Sequence, residues 1–444
     1  MIKHLLLLIF LATTSIITLA QQSISGTFSP TEKYNFGMIF MIDVDNVFYH
    51  LDSEIKDGKF SAKTKEDMLP GMYRLVYNLP QDENFFDFIY SGKEAIEFTY
   101  SNIEGVQFTA SKENQLWYGF KNTIDAIERD ILQHYQAKPI PKAKITALFE
   151  MLSTTKASFK KEAIETLAAT FINGYAPYVP RQFETENSYQ KNRKEQYFNT
   201  VDFSSSLFQK TALPLEMIIK YVFAFSDGKN PEASYKINID TIASKITSES
   251  DLYQKSLLDN LWQFLVNNDQ VSTANHLATE HLIAIATRTN DDAMVERLNL
   301  FKSLSIGSSA PDFSWEKDID GKTETKWLQD LDDAENYIII FWSSTCSHCL
   351  AEIPKIHEQL KGHAKGTYKV IAIGLENETY DWENAILELP NFTHVLGLGK
   401  WENKIGNSYD VSGTPTYFVL DSDKKIAQKP ESFKLLMDFL ALDK

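Results

Sequence analysis

Hydrophobic and polar positions change their period along this chain, and each change marks a candidate domain. From about Ser23 to Ser111 apolar residues alternate with polar ones in short runs: Ile24 to Phe28, Phe40 to Val44, Val47 to Leu51, Gly71 to Tyr77, Phe85 to Tyr90 and Ile96 to Tyr100. Turn signals at Asp57-Gly58 and Pro70-Gly71 separate several of them. Short strands at this spacing predict a small antiparallel β-sandwich over residues 21–114. Near Gln115 the period becomes 3.6, with Leu116, Phe120, Ile124, Ile127, Ile131 and Tyr135 on one helical face. Further helices are expected at Ala143–Asn173, Leu215–Phe225, Tyr253–Val266 and Ala274–Thr287, so residues 115–302 read as an all-α domain. The polar run from Tyr189 to Phe208 reads as a solvated helix, with an exposed flap as the alternative.

Strand and helix alternate again over residues 303–444. Tyr337 to Trp342 is a continuous apolar run of the kind buried on both sheet faces. After it, Leu350, Ile353, Ile356 and Leu360 recur at helical spacing. A strand at Val370–Leu375, a helix around Trp382–Leu389, a strand after Pro415, a short one near Lys425–Gln428 and a last helix at Ser432–Leu440 complete an α/β domain. Asp318 to Lys322 reads as a turn.

Met1 to Ala20 has a basic start, an apolar stretch and small residues at Thr18 and Ala20, which predicts a secretory signal peptide cleaved after Ala20; an uncleaved anchor ranks second. No cysteine lies near that site to carry a lipid and no other long apolar run follows, so the mature protein is expected to be soluble, periplasmic and not a lipoprotein. Lys plus Arg total 44 against 60 Asp plus Glu, a net charge of −16, which argues against nucleic acid as a partner. Apolar residues make up 43% of the chain, enough for packed cores rather than disorder.

Candidate chemistry sits in Trp342-Ser-Ser-Thr-Cys346-Ser-His348-Cys349-Leu-Ala-Glu352, which holds both cysteines of the 444 residues. Random placement would put two cysteines three apart roughly once in two hundred chains, so the spacing needs a reason. Cys346 falls at a predicted helix N-terminus, where unpaired N–H groups and the helix dipole favour a thiolate, the species that attacks a disulfide. Cys349 lies nearly one turn further on, placed to resolve a mixed disulfide. A protonated His348 between them would favour the thiolate further.

These residues resemble the active site of TlpA/ResA-like thioredoxin-fold oxidoreductases. The resemblance runs from Gly307-Ser-Ser-Ala-Pro311-Asp-Phe313 through the Cys-x-x-Cys and Pro354 to Val411-Ser-Gly-Thr414-Pro415-Thr-Tyr417. It implies a cis peptide at Pro415, facing the cysteines, with Thr414 backbone groups free to pair with a substrate strand. Thr414, Pro415, Trp342 and His348 are the expected substrate-binding residues. The buried Asp that cytoplasmic thioredoxins keep six residues before the first cysteine is Ile340 here. The resemblance instead gives Glu352 the role of taking the Cys349 proton, a solvated carboxylate beside Lys355 being the bland alternative. Thr345 replaces a Trp common in relatives and alters the expected groove. The region before residue 115 resembles, more weakly, a β-rich N-terminal module of unknown function found ahead of such domains.

No bound cofactor is expected, because the Cys346–Cys349 pair itself carries electrons, and no metal is expected. His276 and His281 are five apart, which does not match an i, i+4 ligand pair. Peroxiredoxins share the Ala-Pro-Asp-Phe segment, but Ser343 and Ile339 stand where their Thr and Pro would be. The chain therefore reads as an exported thiol–disulfide oxidoreductase. Its expected partners are disulfide-bearing envelope proteins and, with no nucleotide-binding Gly-rich loop, a membrane-bound electron donor. The rival reading is an envelope binding or assembly protein in which the thioredoxin-like part is accessory.

Overall fold

The alternating N-terminal pattern becomes strands β1 (Ser23–Ser29), β2 (Phe36–Ile42), β3 (Val47–Glu54), β4 (Lys59–Lys63), β5 (Gly71–Val76), β6 (Phe85–Tyr90), β7 (Ile96–Ser101) and β8 (Gly105–Ala110). The computed structural model describes residues 23–44, 46–319 and 322–442; the expected signal peptide, residues 1–20, and Asp320 and Gly321 of the expected turn lie outside them. The strands form two four-stranded sheets in the orders β4-β1-β7-β8 and β3-β2-β5-β6. Pairing is antiparallel except between β1 and β7, which run parallel. Strands β4 and β8 escape the sequence pattern because each carries only two or three apolar residues, too few to establish a period. Inward residues of both sheets, among them Phe28, Phe60, Tyr73, Phe88 and Phe98, share one core. Phe28 and Phe98 meet edge to face with centroids 5.6 Å apart, a favoured arrangement of ring quadrupoles.

Helix α1 (Lys112–Tyr135) is capped by the Ser111 hydroxyl and fastened to the sandwich by Asn114. The fully buried Asn114 amide accepts from the Ile89 N–H at 2.7 Å and donates to the Ile89 carbonyl at 2.8 Å. Because β6 is an edge strand, this side chain satisfies backbone groups that would otherwise be open to pairing. The expected single helix at 143–173 is two, α2 (Lys142–Glu162) and α3 (Ala168–Gly174), parted by a turn in which Glu165 takes φ 65°. Helix α4 (Glu186–Glu195) occupies the polar run, yet it is not a solvated helix throughout: Tyr189 and Arg193 are buried, and the Arg193 guanidinium donates to Glu128 on α1 at 2.9 Å. A buried ion pair has the same sequence signature as two surface charges, which is why the run misleads. Helices α5 (Ser206–Gln209), α6 (Leu213–Ala224), α7 (Pro231–Lys245) and α8 (Asp251–Asn267) follow.

Two units divide the chain, Met1–Leu261 and Trp262–Lys444. The division falls inside α8, so α9 (Val271–Leu277), α10 (Ile283–Arg288) and α11 (Asp292–Ser303) go with the C-terminal unit. Leu304 just after α11 is buried in the core of that unit, with Leu300 packed against it. A hairpin, β9 (Ser314–Ile319) and β10 (Lys322–Trp327), comes next, with Trp315 buried in that core and β10 mostly exposed; its second arm was not legible as strand because it reads Lys-Thr-Glu-Thr-Lys-Trp.

The mixed sheet runs β13-β12-β11-β14-β15, with β11 (Asn336–Trp342) central, β12 (Tyr368–Glu376) and β13 (Thr393–Leu398) parallel to it, and β14 (Thr416–Asp421) and β15 (Ile426–Gln428) on its antiparallel side. Helices α12 (Ser347–Leu360), α13 (Tyr380–Ala385), α14 (Lys404–Ser408) and α15 (Phe433–Leu442) complete the unit. The period of two sorts the apolar run of β11 between two cores. Tyr337, Ile339 and Phe341 enter one; Ile338, Ile340 and Trp342 enter the other, together with Cys349, Ile353 and Ile356 of α12 and Leu436 and Leu440 of α15. The central strand is thus covered on both faces, and its C-terminal end is held rigidly where the cysteine loop begins.

The buried ion pair of the N-terminal unit sets a test. Glu128→Ala strands the Arg193 guanidinium and should cost about 3–5 kcal/mol, whereas Arg193→Ala leaves Glu128 with Lys220 at 3.6 Å and should cost less. Urea unfolding followed by far-UV circular dichroism checks the order; equal midpoints for both variants would contradict it.

Candidate active site

Beyond Trp342, the loop Ser343-Ser344-Thr345 turns the chain into α12, and Cys346 is the N-cap of that helix. Its sulfur accepts from the Cys349 N–H at 3.4 Å, taking the place of the oxygen that usually caps a helix. On the other side the Cys346 thiol reaches the Thr414 carbonyl at 3.4 Å. The Thr414–Pro415 peptide is cis, so the turn before β14 lies against the first cysteine. Cys346 is half-buried, Cys349 fully buried, and both are free thiols.

The two sulfurs have opposite acidities. Burial pushes the Cys346 thiol up, but hydrogen bonds from the Cys349 thiol and amide, from Thr414 and from the His348 amide outweigh it and hold the group below its ordinary value. For Cys349, burial is the largest cause and the neighbouring Cys346 adds to it, so the thiol is pushed up to about 12. Ile340, six residues before the first cysteine, is fully buried in the same apolar cluster. The arrangement holds the more acidic thiol at the helix N-terminus and, beneath it, one that stays protonated at neutral pH.

A carboxylate that the sequence reading did not single out holds the loop. Glu376 at the end of β12 is buried, accepts from the Ser344 N–H, and accepts from the Ser343 hydroxyl at 3.1 Å. Ser343 Oγ in turn contacts Thr345 Oγ1 at 3.0 Å, and the Cys346 N–H donates to the Ser343 carbonyl at 3.1 Å. The signal available in the sequence was a lone Glu closing an apolar strand, Val370 to Glu376, where a charge has to find partners. Gly374 on the same strand leaves room for Trp382, whose Nε1 would lie 2.3 Å from an added Cβ. Tyr417 on β14, also not singled out, donates its hydroxyl to Glu352 Oε2 at 3.0 Å. Burial, then Glu352, then the cysteines raise the Tyr417 pKa, so the phenol stays protonated.

The remaining expected site residues separate. Thr414 and Pro415 are half-buried at the sulfur, and Glu352 is half-buried beneath the Tyr417 hydroxyl. His348 is exposed, and the part of it that stabilises the Cys346 thiolate is its backbone amide. Trp342 does not line a groove: it is 1% exposed and packed in the core beside Cys349, because the strand period turns it inward. His357 is buried against Phe392. The spacing argument against His276 and His281 also changes, since a π-helical turn at Ala278–Leu282 adds a residue between them and brings the rings to 6.2 Å.

The thioredoxin-like family model matches residues 335–426. The thiol-disulfide oxidoreductase ResA of Bacillus cereus is 26% identical over 129 residues, which cover 29% of this chain and 70% of that protein. ResA of Bacillus anthracis is 27% identical over 134 residues, with coverage of 29% and 70%. Among solved structures, a domain of a possible thiol-disulfide isomerase from Cytophaga hutchinsonii ATCC 33406 is similar at 31% identity and a TM-score of 0.26, covering 31% of this chain and 92% of that one. A thioredoxin-like protein from Bacteroides caccae ATCC 43185 is similar at 16% identity and a TM-score of 0.39, covering 60% and 98%.

Two measurements follow from this geometry. Alkylation of the reduced chain at pH 7, read by mass spectrometry, should label Cys346 and spare Cys349, with the Cys346 rate rising through a midpoint below that of a free cysteine; preferential labelling of Cys349 would contradict the assignment. Glu376→Ala leaves the Ser344 N–H and the Ser343 hydroxyl without their acceptor and should destabilise the C-terminal unit by about 1–3 kcal/mol, seen as a lower denaturation midpoint, with Glu376→Gln losing less.

Proposed function

We propose that this chain, whose C-terminal unit is a thioredoxin fold of the TlpA/ResA-like kind, is an exported thiol–disulfide oxidoreductase that reduces disulfides of envelope proteins through Cys346 and Cys349. The observation that carries the reading is the acidity contrast between neighbouring sulfurs: a thiol held below its ordinary value at an accessible helix N-terminus, and a buried thiol pushed up to about 12 three residues later. The names borne by the ResA relatives support the same class. Residues 1–20 support export, and among the described residues no helix is long and apolar enough to cross a membrane.

The Cys346 thiolate attacks one sulfur of the substrate disulfide, forming a mixed disulfide and expelling the other as a thiolate. Substrate backbone pairs with Thr414 beside Pro415, and the exposed His348 borders the approach. Cys349 then gives its proton to Glu352 and attacks Cys346 Sγ, which releases the second substrate thiolate and leaves the chain with a Cys346–Cys349 disulfide. Two electrons have moved to the substrate, and a membrane-bound donor restores the dithiol. The Tyr417 hydroxyl orients the Glu352 carboxylate for this step.

Cys349→Ala should accumulate mixed disulfides that survive non-reducing electrophoresis, and their absence would remove Cys346 as the attacking group. Glu352→Gln should slow resolution by about a hundredfold while attack, read as the first burst of substrate thiol, changes little. Equilibration with glutathione or dithiothreitol should place the pair nearer about −270 mV than about −120 mV, the strongly oxidising end.

A further inference from the structure

We propose that Glu376 is a positioning residue for the resolving step: through Ser343 it holds a backbone N–H against the Cys349 sulfur, which needs that donor as it gives up its proton and attacks Cys346. The inference rests on Cys349 being the resolving thiol.

Strand register explains why a side chain is needed at this place. Strands β11 and β12 run parallel, and their pairing ends at Trp342 and Gly374. Ser344 and Glu376 would come level next, beyond the last paired residues. The Glu376 carboxylate takes over from the ladder: one oxygen accepts from the Ser344 N–H and the other from the Ser343 hydroxyl at 3.1 Å. Its own backbone is fixed on the far side, where Glu376 pairs with Leu398 of β13. Thr345 adds bonds within the loop only. Its N–H donates to Ser343 Oγ at 3.3 Å, and its Oγ1 lies 3.0 Å from the same oxygen. Glu376 is therefore the group that ties this closed net to the sheet.

Both backbone groups of Ser343 meet the cysteines. Its carbonyl accepts from the Cys346 N–H at 3.1 Å, and its amide is a donor to the Cys349 sulfur. Burial and the Cys346 thiol push the Cys349 thiol up; against them the Ser343 amide and Thr414 favour the thiolate. Cys349 is fully buried, so water does not supply such a donor. In resolution the Cys349 proton passes to Glu352, the bond between the two cysteine sulfurs forms, and the bond from Cys346 to the substrate breaks with its electron pair leaving on the substrate sulfur. Negative charge develops on Cys349 before that bond forms. A donor fixed beforehand stabilises it, whereas a loop released from β12 lets the amide drift from the sulfur.

The test is stopped-flow reaction of the full chain, reduced beforehand, with excess 5,5′-dithiobis(2-nitrobenzoate); attack by Cys346 releases one coloured thiolate and resolution by Cys349 the second. Glu376→Ala should slow the second release by about tenfold while the first changes by less than about threefold. Glu376→Gln keeps an oxygen for the Ser344 N–H, and its second release should stay within about threefold of the unchanged protein. Ser343→Ala keeps the amide but cuts its tie to Glu376; it should slow the second release by about three- to tenfold, and it decides the matter if Glu376→Ala does not fold. Lower stability alone does not change the ratio of the two rates. Slowing of both releases by one factor, an unchanged second release in Ser343→Ala, or a Glu376→Gln variant as slow as Glu376→Ala overturns the positioning role while leaving the thiol chemistry in place. If Cys349→Ala gives the second thiolate as fast as the unchanged protein, resolution by Cys349 fails and the positioning role fails with it.

Discussion

The hydrogen bond from the Cys349 amide to the Cys346 sulfur is the contact on which the site depends. It makes a cysteine the cap of α12, so that the unpaired N–H groups of the first turn converge on a sulfur rather than on water or a serine oxygen. Three residues are just enough to carry the chain from that open end to the apolar layer under the sheet. The two sulfurs thereby meet two dielectric environments within a single helical turn, and that difference separates their acidities.

The scaffold serves to keep this division sharp. Strand β11 is buried on both faces, and the same alternation that places Phe341 in one core and Trp342 in the other delivers the following loop to the sheet's edge at a fixed height. Glu376 then ties the loop to β12 through Ser343 and Ser344, and the Thr414 turn closes the other flank. Ile340 and Cys349 share one apolar cluster, and the Tyr417 hydroxyl donates to Glu352 on α12.

In the N-terminal unit, polar groups fix elements that apolar packing alone would leave free to slide. The large aromatic core of the sandwich is non-directional, but Asn114 pairs with both backbone groups of Ile89 and sets the register of α1 on β6. Arg193 and Glu128 do the same between α4 and α1. Each gains its specificity from the cost of leaving the partner buried and unpaired.

Sequence alone determined whatever depends on neighbours along the chain. The period of two gave strands such as β5 and β6, an unbroken apolar run gave β11, the period of 3.6 gave α1, α8 and α12, and the Cys346–Cys349 spacing pointed to dithiol chemistry at a helix start, because side-chain direction in regular structure follows from residue number. The β9–β10 hairpin, the break at Glu165 and the π turn before Ile283 carried no periodic apolar signal and were missed. Tertiary structure alone decided which charges are buried and what they hold: Arg193 on Glu128, Glu376 on the Ser343–Ser344 loop, Tyr417 on Glu352, and Trp342 inside the core rather than at the groove. A charged residue reads the same in sequence whether water or a partner distant in the chain solvates it, and only folding brings that partner within hydrogen-bond reach.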